Sequence, residues 1–251
     1  MDLAPLEIQG EGGRMAIDLM NAHGGLRHFL DLDDLEYSVR VDTYDSSGEL
    51  IDVVRQLHRF EAAPPTRYLL DHLGDEVREF GLVGGEGWMR IGDSVRRDQT
   101  ASRAARRELS ILNFLYRAPF SLADPGVRVA EMSELPARRG RPLLKRLAVE
   151  SHPPGAPETR RYVFLLSGAD GRLQGVLFKA VHSDAADPPM RLARALDFIT
   201  LNGVDLVSRW SLLPADGLSG EVSGPREMEW TVEESHWGNR FTDSFYRNGT
   251  P

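Results

Sequence analysis

The stretch Asp34-Leu-Glu-Tyr-Ser-Val-Arg-Val-Asp42 alternates strictly between apolar and polar residues. Side chains of a β-strand point to opposite faces in turn, so this pattern predicts a strand with one face in a core and the other in water. Turn residues follow at Asp45-Ser-Ser-Gly48, and a second alternating run extends to about residue 60. Residues 34–60 are therefore predicted to form an antiparallel hairpin.

Similar pairs of apolar runs recur along the chain, separated by short turn sequences. Ser167-Gly-Ala-Asp-Gly171 separates one pair, and Asn202-Gly203 separates another. Asp-Gly and Asn-Gly are strong hairpin signals, because their residues adopt the positive φ angles that tight hairpin turns need. In all about ten short strands are predicted, the last beginning at Trp230 with a bulge near His236-Trp237. The glycine-rich stretch from Val83 to Trp88 is predicted to be unsuited to the centre of a sheet.

Two segments show helical periodicity instead. Residues 99–117 carry an apolar stripe at helical spacing after an N-cap residue, either Asp98 or Thr100. A shorter helix, about residues 14–22, ends before the pair Gly24-Gly25. A parallel sheet needs a helix between most pairs of strands, and the sequence shows no such helix between most of its predicted strands. The predicted fold class is α+β, mainly β: one strongly curved antiparallel sheet with both helices covering its concave face.

Composition and missing motifs exclude several classes of function. The 251 residues contain 30 Lys+Arg against 38 Asp+Glu, a net charge of −8, which disfavours a nucleic-acid ligand. The chain has no cysteine, so thiol catalysis, thiolate zinc sites and disulfides are excluded. No phosphate-binding glycine loop, nucleophile elbow or paired-histidine zinc motif occurs. The sequence therefore predicts neither a catalytic residue nor a cofactor.

Three local features are candidates for binding, each with a structural alternative. The acidic residues Asp31, Asp33 and Asp34 offer oxygen ligands suited to Ca²⁺, although a polar strand entry is the favoured interpretation. The basic stretch 138–146 would suit an anionic partner, but its prolines favour a solvated loop. His23 either faces a cleft or interacts with the last carbonyls of the first helix, which is the favoured interpretation.

Aromatic and aliphatic residues on the predicted inward face form the candidate ligand site. Such residues either line a pocket for an apolar ligand or fill the core themselves, and both interpretations stay open. The candidate lining residues are Tyr37, Val39, Tyr68, Leu70, Trp88, Leu112, Tyr116, Phe120, Phe198 and Trp210.

Several short strings, in this order, resemble the LolA-like superfamily. They are His23-Gly24-Gly25, the strand start Gly84-Gly-Glu-Gly-Trp88, the string Ala118-Pro-Phe-Ser-Leu-Ala-Asp-Pro-Gly126 after the long helix, and the turns at Asp170-Gly171 and Asn202-Gly203-Val204. More narrowly, the sequence is similar to uncharacterised extracytoplasmic bacterial members that share the first and third strings. The resemblance implies an unclosed β-barrel with helices as a lid over an apolar cavity, which in lipoprotein carriers receives acyl chains.

The resemblance also bears on domains and location. It extends over residues 14–247, which are predicted to form one domain after a flexible segment, residues 1–13. It implies a periplasmic or otherwise extracytoplasmic protein. No signal peptide is visible in residues 1–13, so we expect the leader to have been removed from this sequence.

The expected function is therefore that of a non-enzymatic binding module. Its expected partner is a hydrophobic small molecule, a lipid or a lipoprotein acyl chain, or else an envelope protein, with no nucleic acid, metal or transmembrane segment involved. An envelope scaffold whose barrel is filled by its own side chains is the first alternative. A hydrolase that assembles Asp and His residues across strands is the second.

Overall fold

The computed structural model describes residues 10–63, 68–73, 78–83, 86–135, 143–152, 159–179, 189–241 and Tyr246. Its helices are α1 (Gly10–Ala22), α2 (Leu26–Leu30) and α3 (Gln99–Tyr116). Its strands are β1 (Asp34–Tyr44), β2 (Leu50–Glu61), β3 (Tyr68–Leu73), β4 (Arg78–Val83), β5 (Glu86–Ile91), β6 (Ser94–Arg96), β7 (Val127–Leu135), β8 (Leu144–Ser151), β9 (Arg160–Ser167), β10 (Leu173–Lys179), β11 (Met190–Leu201), β12 (Val204–Asp216), β13 (Glu221–Val222) and β14 (Met228–Trp237).

The strands form one antiparallel sheet built from two meanders. Its order is β6-β5-β4-β3-β2-β1-β14-β12-β11-β10-β9-β8-β7, with the short β13 beside β12. Strands β1 to β6 run outward in one direction and β7 to β12 return from the other, while β14 lies between β1 and β12. Within the described ranges the end strands β6 and β7 do not pair with each other, so the sheet is not closed.

The sheet curves around α3. Strands β3, β4 and β5 contact this helix, and on the opposite arm of the sheet Tyr162 of β9 stacks on Phe114, with ring centroids 4.0 Å apart. Residues of both arms can touch one helix only if the sheet bends around it. The predicted fold class, a curved and unclosed antiparallel sheet with a long and a short helix, is confirmed.

Local chemistry explains where α3 begins and how closely it approaches β5. The Asp98 carboxylate caps the helix by accepting hydrogen bonds from the backbone N–H groups of Thr100 and Ala101, each at 3.0 Å. Gly87 of β5 faces the helix, and a Cβ atom there would lie 2.8 Å from the backbone oxygen of Ser102. Glycine at this position thus permits the close contact between strand and helix.

The His23-Gly24 pair attaches the end of α1 to two hairpins. Gly24 has φ of +101°, and a Cβ atom there would lie 2.2 Å from the carbonyl oxygen of Gly203. The His23 ring is buried, and its Nε2 accepts a hydrogen bond from the Leu173 N–H at 3.1 Å. Its Nδ1 therefore carries the proton and donates to the carbonyl oxygen of Asp205 at 2.9 Å. His23 is a structural anchor of the neutral form, and burial lowers its pKa.

Most predicted elements are confirmed, and four details differ. All three hairpins form where expected, and Asp98 is the N-cap of α3. The first helix begins at Gly10, inside the segment 1–13 that was predicted to be flexible; residues 1–9 lie outside the described residues. The link after Gly25 contains α2. The described residues form fourteen strands rather than about ten. The bulge in β14 lies at Glu233, opposite Ser38 and Val39, rather than near its end.

Candidate ligand-binding groove

One part of the concave face is filled by interlocking aromatic rings. We call it the filled region; it consists of Tyr37, His58, Phe60, Tyr68 and Tyr116 with their apolar neighbours on β1, β2, β3 and α3. Phe60 stacks on Tyr68 with ring centroids 5.4 Å apart, and Tyr37 meets Tyr116 edge to face at 5.7 Å. All five side chains are buried. The filled region is thus packed by the protein's own side chains.

Some polar atoms of the filled region form hydrogen bonds, and others have no described partner. His58 Nε2–H donates to the amide oxygen of Gln56 at 3.0 Å, so its Nδ1 accepts from the Tyr68 hydroxyl at 2.5 Å. The hydroxyl oxygens of Tyr37 and Tyr116 are buried and have no hydrogen-bond partner in the described part of the chain. Burial raises the pKa of both phenols, so they remain protonated at any ordinary pH.

A groove of about 850 Å³ lies in another part of the concave face. This volume is in the range of pockets that bind small molecules, about 300–1,000 Å³. The apolar wall comes from α3 and from strands β10, β12 and β14. Its main residues are Ile111, Phe178, Leu212, Pro214, Met228 and Trp230. The groove is partly open to solvent and mostly apolar, as expected of a site for a hydrophobic ligand.

Three residues of the groove lining are charged: Asp45, Arg191 and Glu227. Arg191 of β11 binds Glu227 through two hydrogen bonds, from Nε at 2.5 Å and from Nη2 at 3.3 Å. Asp45 lies in the turn between β1 and β2, where its Oδ1 accepts from the backbone N–H groups of Ser47 and Glu49. A hydrogen bond from the Ser47 hydroxyl, together with those from the backbone, lowers the pKa of Asp45, so its carboxylate is ionised at neutral pH.

The ten candidate residues lie outside the lining of this groove. Nine are buried in the core, and Phe198 is partly exposed beside His23, with ring centroids 5.3 Å apart. Tyr37, Val39, Tyr68, Leu70 and Tyr116 belong to or border the filled region; Phe120 stacks on Phe29 at 4.4 Å, Leu112 lies on α3, and Trp210 is the cross-strand neighbour of Trp230. Their role as ligand contacts stays a prediction.

Trp88 lies on the opposite face of the sheet from α3. Its neighbour Gly87 faces the helix, and adjacent residues of a strand point to opposite faces. The Trp88 ring covers Gly81, where a Cβ atom would lie 2.1 Å from it, and its Nε1–H donates to the carbonyl oxygen of Tyr246 at 2.9 Å. Trp88 therefore holds Tyr246 against the convex face.

The residues that line the groove left weak signals in the sequence. Leu212 and Trp230 have the same inward parity as Trp210, so alternation places them on the concave face without separating open from filled positions. Pro189, Pro214 and Pro225 surround the groove, and prolines near strand ends interrupt the regular ladder. These three prolines are the part of the sequence that marks the position of the groove.

The other candidate features have structural roles or lie outside the described residues. The Asp34 carboxylate accepts hydrogen bonds from the backbone N–H groups of Asn239 and Phe241, at 2.7 and 2.9 Å. The described residues contain no cluster of metal-binding side chains. Most of the basic stretch, residues 138–142, falls outside the described ranges. Among the helices described, none is long and apolar enough to cross a membrane.

Together, the unclosed sheet, the long helix inside its curve and the helix anchored by His23 define a LolA-like fold. A solved domain from Vibrio parahaemolyticus, named for outer membrane lipoprotein sorting, has this fold with a TM-score of 0.57 and 8% identity, over 93% of this chain and 94% of that one. A DUF1329 family protein from Desulfovibrio piger matches with a TM-score of 0.59 and 7% identity, over 94% and 98%. No family model and no curated protein matches the sequence. The resemblance predicted from the sequence strings is confirmed at the level of fold.

Proposed function

We propose that the protein is a non-enzymatic binding module that holds the alkyl chain of a lipid or of a lipoprotein in the groove. The observation that carries this proposal is an apolar groove of about 850 Å³ on the concave face of an unclosed sheet. Removing an alkyl chain from water contributes about 25 cal/mol per Å² of buried apolar surface. The groove offers that burial without any movement of the core.

The fold supports the same proposal, together with an extracytoplasmic location. A sheet closed into a narrow barrel leaves room only for its own side chains, whereas an unclosed sheet can leave a groove between its concave face and a helix. The Vibrio parahaemolyticus domain with this fold is named for lipoprotein sorting. We therefore include periplasmic residence and a lipid or lipoprotein partner in the proposal.

Native mass spectrometry with a groove-blocking variant tests this function. The protein is incubated with monolauroylglycerol, whose acyl chain has twelve carbons, and the mass excess of the complex is measured. We expect wild type to bind and Leu212→Trp to lose affinity by about tenfold or more, equal to about 1.4 kcal/mol, because the indole occupies the space of the chain. The groove has room for this side chain, so the variant is expected to fold.

Leu218→Trp is the matched control. Leu218 is 49% exposed and lies outside the groove lining, so the same change there should leave binding intact. An unmodified wild-type mass after incubation, or equal binding by Leu212→Trp and wild type, would refute the proposal.

A second version of the proposal places the alkyl chain deeper in the protein, among the ten residues predicted from the sequence. All of them except Trp88, which lies on the convex face, would contact the chain if α3 moved away from the filled region and acted as a lid. Hydrogen exchange distinguishes the two versions, because entry into the core would lower the protection of backbone amides in residues 109–116. Binding in the groove alone would leave that protection unchanged or raise it.

The filled region favours a second function, that of an envelope scaffold. Its five rings close the space between α3 and strands β1 to β3, as expected of a barrel that holds no ligand. The same mass measurement decides between them, because a scaffold would remain free of lipid at every concentration of the probe.

A further inference from the structure

The charges at the groove are not balanced among the described residues. Arg191 of the lining and Arg226, which contacts the lining residue Tyr44, are each paired with a glutamate. Arg191 forms two hydrogen bonds with Glu227. Arg226 lies over the Tyr44 ring, 4.3 Å from its centroid, and pairs with Glu229. Neither guanidinium is left to receive an anionic headgroup.

Asp45 supplies the charge that remains. Its carboxylate lines the groove and accepts hydrogen bonds from the Ser47 N–H at 2.8 Å, the Ser47 hydroxyl at 2.7 Å and the Glu49 N–H at 3.0 Å. These donors are uncharged, and no Lys or Arg of the described segments forms an ion pair with it. The net charge of the lining is therefore negative.

From this arrangement we infer that the groove selects alkyl chains whose headgroup carries no negative charge, with an amine preferred over an uncharged ester and the ester over a carboxylate. The inference rests on the proposed function and names its ligand class. A chain lying against Trp230, Met228 and Leu212 occupies the same groove as Asp45, whose carboxylate then acts on the headgroup. A unit charge about 6 Å away in water attracts an amine and repels a carboxylate, and the two contributions together should make their affinities differ by about tenfold, equal to about 1.4 kcal/mol.

Three probes with the same twelve-carbon chain test the inference. Dodecylamine, monolauroylglycerol and laurate are titrated into the full chain at pH 7 and low salt, below the concentrations at which they aggregate. We expect dodecylamine to bind about tenfold more tightly than laurate, with the glycerol ester between them. The ratio should shrink in high salt, since screening weakens interactions between exposed charges.

Two variants separate the local charge from the charge of the whole protein. Asp45→Asn removes the carboxylate while its amide oxygen can still accept the hydrogen bonds of the turn, and it should lower the amine-to-laurate ratio to about threefold or less. Asp31→Asn makes the same change of charge at an exposed position beyond the opposite end of β1, outside the lining, and should leave the ratio unaltered.

The outcomes distinguish the inference from the function on which it rests. Absence of binding by all three probes would contradict the proposed function itself. Equal binding of the three, or tightest binding of laurate, would overturn the charge selection while the binding function stands. An equal effect of Asp45→Asn and Asp31→Asn would also overturn it, because the selectivity would then come from the net charge of −8.

Discussion

The filled region and the groove are parts of one concave face, yet only the groove leaves space. In the filled region, rings from β1, β2, β3 and α3 interlock, and the helix covers the strands. At the groove, α3 contributes Ile111 to the lining, and the helix packs mainly on β3, β4 and β5. The position of a single helix therefore decides which part of a curved sheet is core and which is accessible to a ligand.

The largest expected effect on stability comes from truncating a leucine to alanine, a change that can be made both beside the filled region and in the groove. Leu70 is fully buried beside the filled region, whereas Leu212 is half-buried in the groove wall. Leu70→Ala should lower the free energy of unfolding by about 2–5 kcal/mol through lost burial and a new cavity, and Leu212→Ala by about 1 kcal/mol. Urea unfolding measures both. Equal losses would mean that the groove wall is packed as tightly as the core.

A smaller effect is expected at the anchor of α1, which supports the groove side of the sheet through β10 and β12. His23→Gln should destabilise the protein by about 1–3 kcal/mol, because the Leu173 N–H or the Asp205 carbonyl loses its buried partner. His28→Gln is the control, since His28 is exposed and its Nδ1 contacts only the Gly24 carbonyl among the described residues.

The same anchor makes stability depend on pH. Burial lowers the pKa of His23 below its ordinary value of 6.5, so the unfolded chain binds a proton at higher pH than the folded one. The free energy of unfolding should therefore have a His23 contribution that is complete above pH 6.5 and is lost as the pH falls below it. Unfolding at pH 7.5 and 5.5 measures it as the difference between wild type and His23→Gln, and an equal pH dependence in both would disprove it.

The smallest expected effect is the difference in stability between two tyrosine substitutions inside the filled region. Tyr68→Phe should cost about 1 kcal/mol, because it removes the hydrogen bond to His58. Tyr116→Phe removes a buried hydroxyl without a described partner and should leave stability unchanged or raise it by up to about 1 kcal/mol. Thermal unfolding compares them. A loss in Tyr116→Phe equal to that in Tyr68→Phe would show that the Tyr116 hydroxyl has a partner.

Sequence patterns predicted the fold well and the groove poorly, for a physical reason. Alternation and turn residues such as Asn202-Gly203 act locally, so they identify hairpins and the inward parity of Tyr37 or Trp210. Whether an inward residue meets another side chain or open space depends on where α3 lies, which no local pattern contains. Trp88 shows a related limit, because only the tertiary structure reveals that it covers Gly81 on the convex face.

The placement of β14 between β1 and β12 has a consequence for how the molecule is made. Both meanders are continuous in the chain and consist of neighbouring hairpins, so each can form from local contacts as it leaves the ribosome. The strand that joins them, Met228–Trp237, is synthesised after both. Until it arrives, the inner edges of β1 and β12 expose unpaired backbone groups, which are the sites where two nascent chains would associate wrongly.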